Sequence, residues 1–286
     1  MRKIVVDIFL KIMGVSAVSG ITFSDSAIYL ISDLDSALYT YEQTNGKLAQ
    51  TDLIPETDSV YYKNGVVNLP KKIKPDFEAL YENDSLVYVF GSGSKPNRNF
   101  GYKINKSTME YEFLDLSWLY DSMRDFAGMD KKDFNIEGVT FARGEWYFFN
   151  RGNGPGSKNM IFTVQGENLV DDFNVFHQEY ELPEINGHIS GFSDATAVNG
   201  VLYFIATAEG TKSTYNDGEI LGTLLGAIPL KDMEITFTQK ISDTHKFEGI
   251  TVYQKSPRKI EFLLSEDNDT DNQEATIYKM SMDVGF

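Results

Sequence analysis

Five short β-type windows each place one residue directly before a small one: Ser19 before Gly20, Glu78 before Ala79, Glu137 before Gly138, Asp194 before Ala195 and Glu248 before Gly249. Four of these five leading residues are acids. Carboxylates gathered away from water cannot all stay ionised unless a cation, a basic side chain or backbone N–H groups compensate them. A hard divalent ion meets that need, with Ca²⁺ preferred over Mg²⁺ for an adaptable set of carboxylate and carbonyl oxygens. Hydrogen bonds to the backbone of a neighbouring unit meet it equally well, and structural networks often imitate sites in this way.

Polar stretches downstream of each window add further groups. They are Asp33 and Asp35; Ser92, Ser94, Lys95 and Arg98; Asn150, Arg151 and Asn153; Thr207, Glu209 and Asp217; and Glu266, Asp267 and Asn268. Arg98 and Arg151 carry forked donors suited to carboxylate or phosphate, and Lys74 and Lys95 lie nearby in sequence. The expectation is an anionic small-molecule ligand. The opposing reading is that both arginines pair with the acids and only balance them. His188 and His245 precede the fourth and fifth windows and are candidates to carry protons or bind a ligand, whereas His177 is given no role.

The elements that must position these groups follow from a repeat. The small residues fall at 20, 79, 138, 195 and 249, at intervals of 59, 59, 57 and 54 residues, and five such units account for the chain of 286. Each window leads through a turn (Asp25-Ser26, Asn83-Asp84, Arg143-Gly144, Asn199-Gly200, Ser256-Pro257) into a second strand, as hairpins require. Third strands are read at 37–41, 100–104, 160–164, 223–228 and 276–280, and fourth strands at 110–114, 176–182 and 234–241. The last unit lacks a fourth strand, and the segment 4–12, rich in β-branched residues, supplies it.

The fold class is therefore all-β: a single domain over residues 1–286, a five-bladed β-propeller of four-stranded antiparallel blades, with the ring closed by the N-terminal strand. Six blades are the alternative, with an extra hairpin at 59–69 around Asn64-Gly65. A short helix is predicted after Ser117, with Leu119, Met123 and Phe126 on one face and Gly128 as its stop. In this architecture the inner strands line a central channel, and the five leading residues form a ring at one end of it.

Composition narrows the function classes. Aspartate and glutamate total 42 against 26 lysine and arginine, and the net charge of −16 repels nucleic acid and anionic lipid. Cysteine is absent, which removes disulfides, thiolate nucleophiles and zinc-thiolate sites. With 42% hydrophobic and 13% aromatic residues the chain is not disordered. No apolar run is long enough for a membrane span. Asp7 and Lys11 interrupt the N-terminal apolar stretch and argue against a secretory signal, so a cytoplasmic location is expected, with a periplasmic or exported one as the alternative. A monomer is expected.

Several motifs fail. Gly152-Asn153-Gly154-Pro155-Gly156 opens no helix and is no nucleotide fingerprint. Gly187-His188-Ile189-Ser190-Gly191 lacks the spacing of a nucleophile elbow. Asp267-Asn268-Asp269-Thr270-Asp271 lacks the glycine and terminal glutamate of a calcium-binding loop.

The phrases Lys74-Pro75-Asp76-Phe77-Glu78-Ala79-Leu80, Asn135-Ile136-Glu137-Gly138, Asn150-Arg151-Gly152-Asn153, Gly191-Phe192-Ser193-Asp194-Ala195 and His245-Lys246-Phe247-Glu248-Gly249 resemble uncharacterised bacterial propeller proteins. Those are related to the esterase-like phytase family, within the group that includes calcium-dependent lactonases and phosphotriesterases. The resemblance touches every blade and implies a metal-supported site on the top face. Two functions follow as expectations. One is a metal-dependent hydrolase of an anionic phosphoester or lactone, in which Glu78, Glu137, Asp194 and Glu248 hold the ion, Arg98 and Arg151 stabilise negative charge, and His188 or His245 moves a proton. The other is a non-catalytic ligand- or protein-binding propeller using the same face.

Overall fold

The computed structural model describes residues 3–32, 34–53, 62–63, 66–67, 74–152, 156, 158–210, 218–267 and 273–284. Asp33, Asn153, Asp217, Asn268 and most of the 59–69 segment lie outside them. From that segment the structure describes only a two-residue ladder, Tyr62–Lys63 against Val66–Val67.

Five four-stranded antiparallel sheets form the blades, with inner strands Val18–Ser24, Phe77–Glu82, Ile136–Ala142, Gly191–Val198 and Phe247–Lys255. Each inner strand packs on the inner strand of the next blade, and the fifth packs on the first, so the ring is closed and has five blades. The fifth blade runs Phe247–Lys255, Lys259–Glu266 and Glu274–Asp283, and Ile4–Met13 completes it by pairing from Ile4↔Met282 to Met13↔Glu274. Closure in this way removes an exposed sheet edge. Blade 1 also has a fourth strand, Lys47–Asp52, whose polar sequence hid it.

Local chemistry sets the hairpins. Asp25-Ser26, Arg143-Gly144 and Asn199-Gly200 all have positive φ at both positions, the twist that a two-residue turn between right-twisted strands needs. In blade 2 the Asn83 side chain does the same work by accepting from the N–H groups of Ser85 and Leu86.

The repeated small residue has a steric cause. A Cβ on Gly138 would lie 2.8 Å from the Asp194 Cα in the next blade, and one on Gly249 would lie 2.9 Å from the Ile21 amide nitrogen. At these two positions the inner strands approach too closely for a side chain, whereas blade 2 accommodates the single methyl of Ala79.

Apolar side chains fill the wedges between blades. Phe90, Trp146, Phe148 and Phe162 form such a wedge between blades 2 and 3, and fully burying each contributes about 1.5–3 kcal/mol. The helix Ser117–Ala127 covers this wedge with Leu119, Tyr120 and Met123, and Gly128 ends it in the left-handed conformation. Phe126 is not on the buried face. It is 60% exposed and lies edge-on to the His177 ring, because Tyr120 rather than Phe126 completes the apolar stripe. Among the described residues no helix is long and apolar enough to cross a membrane.

Candidate functional site

Every inner strand carries a β-bulge at one end of the channel. The pairing register slips between Val18 and Gly20, Phe77 and Ala79, Ile136 and Gly138, Phe192 and Asp194, and Phe247 and Gly249. The bulged residues are Ser19, Glu78, Glu137, Ser193 and Glu248. A bulge leaves one residue unpaired and re-aims its side chain. The ring thus holds three acids and two serines. Asp194 belongs one position later, where the other blades have Gly20, Ala79, Gly138 and Gly249.

Asp194 has a different task. Its Oδ2 accepts the Ile250 N–H of blade 5 at 2.8 Å, which ties one inner strand to the next. Burial pushes its carboxyl well above the usual range, and the Ile250 and Ala195 N–H groups only partly offset that push. The two serines act similarly. Ser19 Oγ donates to the Phe77 carbonyl at 2.6 Å, and Ser193 Oγ donates to Thr207 Oγ1 at 3.1 Å, which in turn lies 3.3 Å from the Phe247 carbonyl.

Glu137 and Glu248 instead meet through Arg151, which follows the second strand of blade 3. Arg151 Nη1 lies 3.3 Å from Glu137 Oε2 and 3.5 Å from Glu248 Oε1, and Nη2 donates to Glu209 Oε1 at 2.7 Å. Lys246 Nζ extends the network to Glu248 at 3.0 Å and Asp267 at 3.1 Å, and lies 3.9 Å from Glu209. Asn135 donates to the other oxygen of Glu137. Arg151, Glu137, Glu248, Lys246 and Asp267 are all buried.

Among the described residues, two cations thus face four carboxyls, three of them buried and the fourth, Glu209, largely so. Burial pushes Glu248 up to about 8, with Lys246 pulling down and Asp267 and Glu137 pushing further up. Burial raises Glu137 as well, against the pull of Arg151 and Lys246. Burial acts on Glu209 too, but Arg151 and Lys246 outweigh it and hold that carboxyl below its usual value. The network therefore contains acids on both sides of neutrality.

Arg98 sits in the equivalent loop of blade 2, on a short 3₁₀ turn, and is buried. Its Nη1 is held by Asp76 Oδ2 and by Ser94 Oγ at 2.7 Å, and Asp76 also accepts from Ser92 Oγ at 2.7 Å. Both arginines thus pair with acids. Glu78 occupies the ring position of blade 2 and is half-buried.

Among the described residues, no hydrogen bond or ion pair joins either candidate histidine to these groups. His188 lies half-buried in a two-residue ladder, and His245 Nδ1 is 2.7 Å from Ser242 Oγ with its ring stacked on Phe247 at 5.3 Å.

The described carboxylates do not form a calcium cage. Oxygens of Glu137, Glu248 and Asp267 are taken by Arg151 and Lys246, so a divalent ion would have to displace one of those cations. Among the described residues, no three His, Asp or Glu side chains are grouped to hold a metal.

Three residues of these charge clusters escaped the sequence reading, Lys246, Asp76 and Asn135. Each lies two residues before a ring position, immediately ahead of its inner strand. That spacing was the available signal.

A closed ring of five bulged inner strands with a buried charge network at one end defines a five-bladed β-propeller with a polar channel mouth. Within that class, the chain belongs to the family of unknown function DUF6929, whose model matches residues 14–282. No curated protein matches the chain. Among solved structures, it is similar to glutaminyl cyclase from Myxococcus xanthus, at TM-score 0.58 and 11% identity, covering 100% of this chain and 98% of that one. It is more loosely similar to the calcium-binding protein regucalcin from Agrobacterium tumefaciens, at TM-score 0.48 and 9% identity, covering 98% of this chain and 96% of that one. At 11% identity the likeness to the cyclase shows the fold alone.

Proposed function

We propose that this propeller binds a small molecule at the end of its channel, and that the ligand presents a positively charged group to the Glu137–Glu209–Glu248–Asp267 carboxyls. The observation that carries this reading is that, among the described residues, the buried carboxyls of Glu137, Glu248 and Asp267 and the largely buried one of Glu209 meet two cations, Arg151 and Lys246. Desolvated acids in excess of their cations must take up protons or a further cation, and a protonated amine supplies the latter, whereas a divalent ion would have to displace Arg151 or Lys246.

Binding to the folded state alone raises stability by mass action, by about 2.7 kcal/mol at a hundredfold excess over Kd. Thermal unfolding with putrescine, calcium chloride or magnesium chloride, at fixed ionic strength and between pH 6 and 9, tests the reading. A saturable rise in Tm, stronger at higher pH as Glu248 ionises and reduced in Glu137→Gln, is expected. Indifference to all three cations across that range rejects it.

The hydrolase reading retains one observation of its own. Glu248, held near neutrality beside Lys246 and Arg151, is a carboxyl able to exchange a proton at physiological pH, as a general acid must. Turnover of a phosphoester or lactone panel, lost in Glu248→Gln, would establish it. A panel with no turnover leaves binding as the function.

A further inference from the structure

The guanidinium of Arg98 is only half used. Its Nη1 is committed to Asp76 and Ser94, while Nε and Nη2 have no hydrogen-bond partner among the described residues, although both atoms are buried. These two nitrogens form the side-on edge of the guanidinium, where two N–H bonds run parallel and match the oxygens of a carboxylate or phosphate. Leaving such donors buried and unmatched is costly, so a partner of opposite charge is strongly favoured. Arg151 forms a contrast, since its Nη1 and Nη2 are both bound to carboxylates.

The surroundings favour an anion. Lys74 and Lys95 lie on the two loops that carry Asp76 and Arg98, which are tied together where Asn97 Nδ2 donates to the Lys74 carbonyl at 3.1 Å. The two loops thereby hold Asp76 against Arg98. Asp76 neutralises the far side of the guanidinium and fixes its plane, which pre-orients the unused edge.

We propose that the Nε–Nη2 edge of Arg98 is an oxyanion subsite, taking a carboxylate or phosphate group of a small molecule through two parallel hydrogen bonds. It is separate from the cation reading, since it uses blade 2 and none of the Arg151–Lys246 carboxyls.

Isothermal titration of the full chain with inorganic phosphate and, separately, with succinate, in chloride buffer of matched ionic strength, tests the subsite. Saturable one-to-one binding of at least one anion is expected, and the stronger isotherm tells phosphate from carboxylate. Arg98→Lys keeps a charge for Asp76 but loses the fork, and is expected to weaken binding at least tenfold. Should that variant fail to fold, the Arg98 Nε–Hε resonance of the unaltered protein serves instead, shifting progressively as phosphate is added. Flat isotherms, undiminished binding in Arg98→Lys, or an unmoved Arg98 resonance each overturn the subsite. Stabilisation by putrescine without binding of either anion also overturns it and leaves the cation reading standing. Anion binding without any response to putrescine, calcium or magnesium supports the subsite and counts against that reading.

Discussion

The bulge position is used in two ways around the ring. In blades 1 and 4 it holds Ser19 and Ser193, whose hydroxyls lead to the backbone of the following blade, and Asp194 beside Ser193 does the same. In blades 3 and 5 it holds Glu137 and Glu248, which converge on shared cations. One backbone feature thus serves as a latch in two blades and as a charge bearer in two others. Burial at a repeated position does not by itself mark a site; what separates the two uses is whether the side chain is satisfied by backbone or by another side chain's charge.

Replacing Arg151 with Met should have the largest effect, because it leaves Glu137, Glu209 and Glu248 without their common partner. A loss of about 3–5 kcal/mol in urea unfolding is expected, the range for removing one member of a buried ion pair. A loss below 1 kcal/mol would mean that the charged side is no more demanding than the latching side.

Next comes the pH response of Glu248. Its folded-state value is raised, so the native state binds more protons than the unfolded state between about 4.5 and about 8. Stability from this group is complete below that window and is lost as pH rises through it. Glu248→Gln removes the decline, changing the slope of stability against pH by up to about 1.4 kcal/mol per unit. Unfolding curves at pH 5, 6.5 and 8 read this directly, and parallel slopes for the two proteins would contradict it.

Ser19→Ala on the latching side should cost about 1 kcal/mol, since one buried hydroxyl–carbonyl bond is lost. The cost should be the same at pH 5 and pH 8. A pH-dependent cost would show that the two halves of the ring are electrically connected.

Asp194→Asn should be mildest. Burial pushes this carboxyl toward its neutral form, and an amide oxygen accepts from Ile250 as well as a carboxyl oxygen does. A change below about 1 kcal/mol at pH 6 is expected by thermal unfolding. A large loss would place a negative charge on Asp194 and move it from the latch to the network.

The sequence carries the period plainly because the close approach at Gly138 and Gly249 is a steric demand that glycine meets there, although blade 4 places Asp194 at the same register position. It carries the closing strand as well, since the β-branched residues of Ile4–Met13 match a fifth blade that is one strand short. Blade 4 misleads by one position. Ser193-Asp194-Ala195 imitates the acid-then-small pattern of Glu137-Gly138, yet its bulge falls at Ser193, and bulge placement depends on pairing register rather than residue type. The pairing of Arg98 and Arg151 with acids was one of two readings open to the sequence, whereas the distinction between a guanidinium with both terminal nitrogens bound and only Nε unmatched, as in Arg151, and one with its whole Nε–Nη2 edge unmatched, as in Arg98, requires atomic distances. Lys47–Asp52 escaped because an outer strand facing water has no apolar alternation to betray it.

The clasp between Ile4–Met13 and Glu274–Asp283 has a kinetic consequence. It joins residues far apart in sequence, Ile4 with Met282, and so can form only after the intervening chain has emerged. Assembly of the acidic mouth, which needs blades 3, 4 and 5 in register, is thereby bound to the slowest, most non-local step of folding.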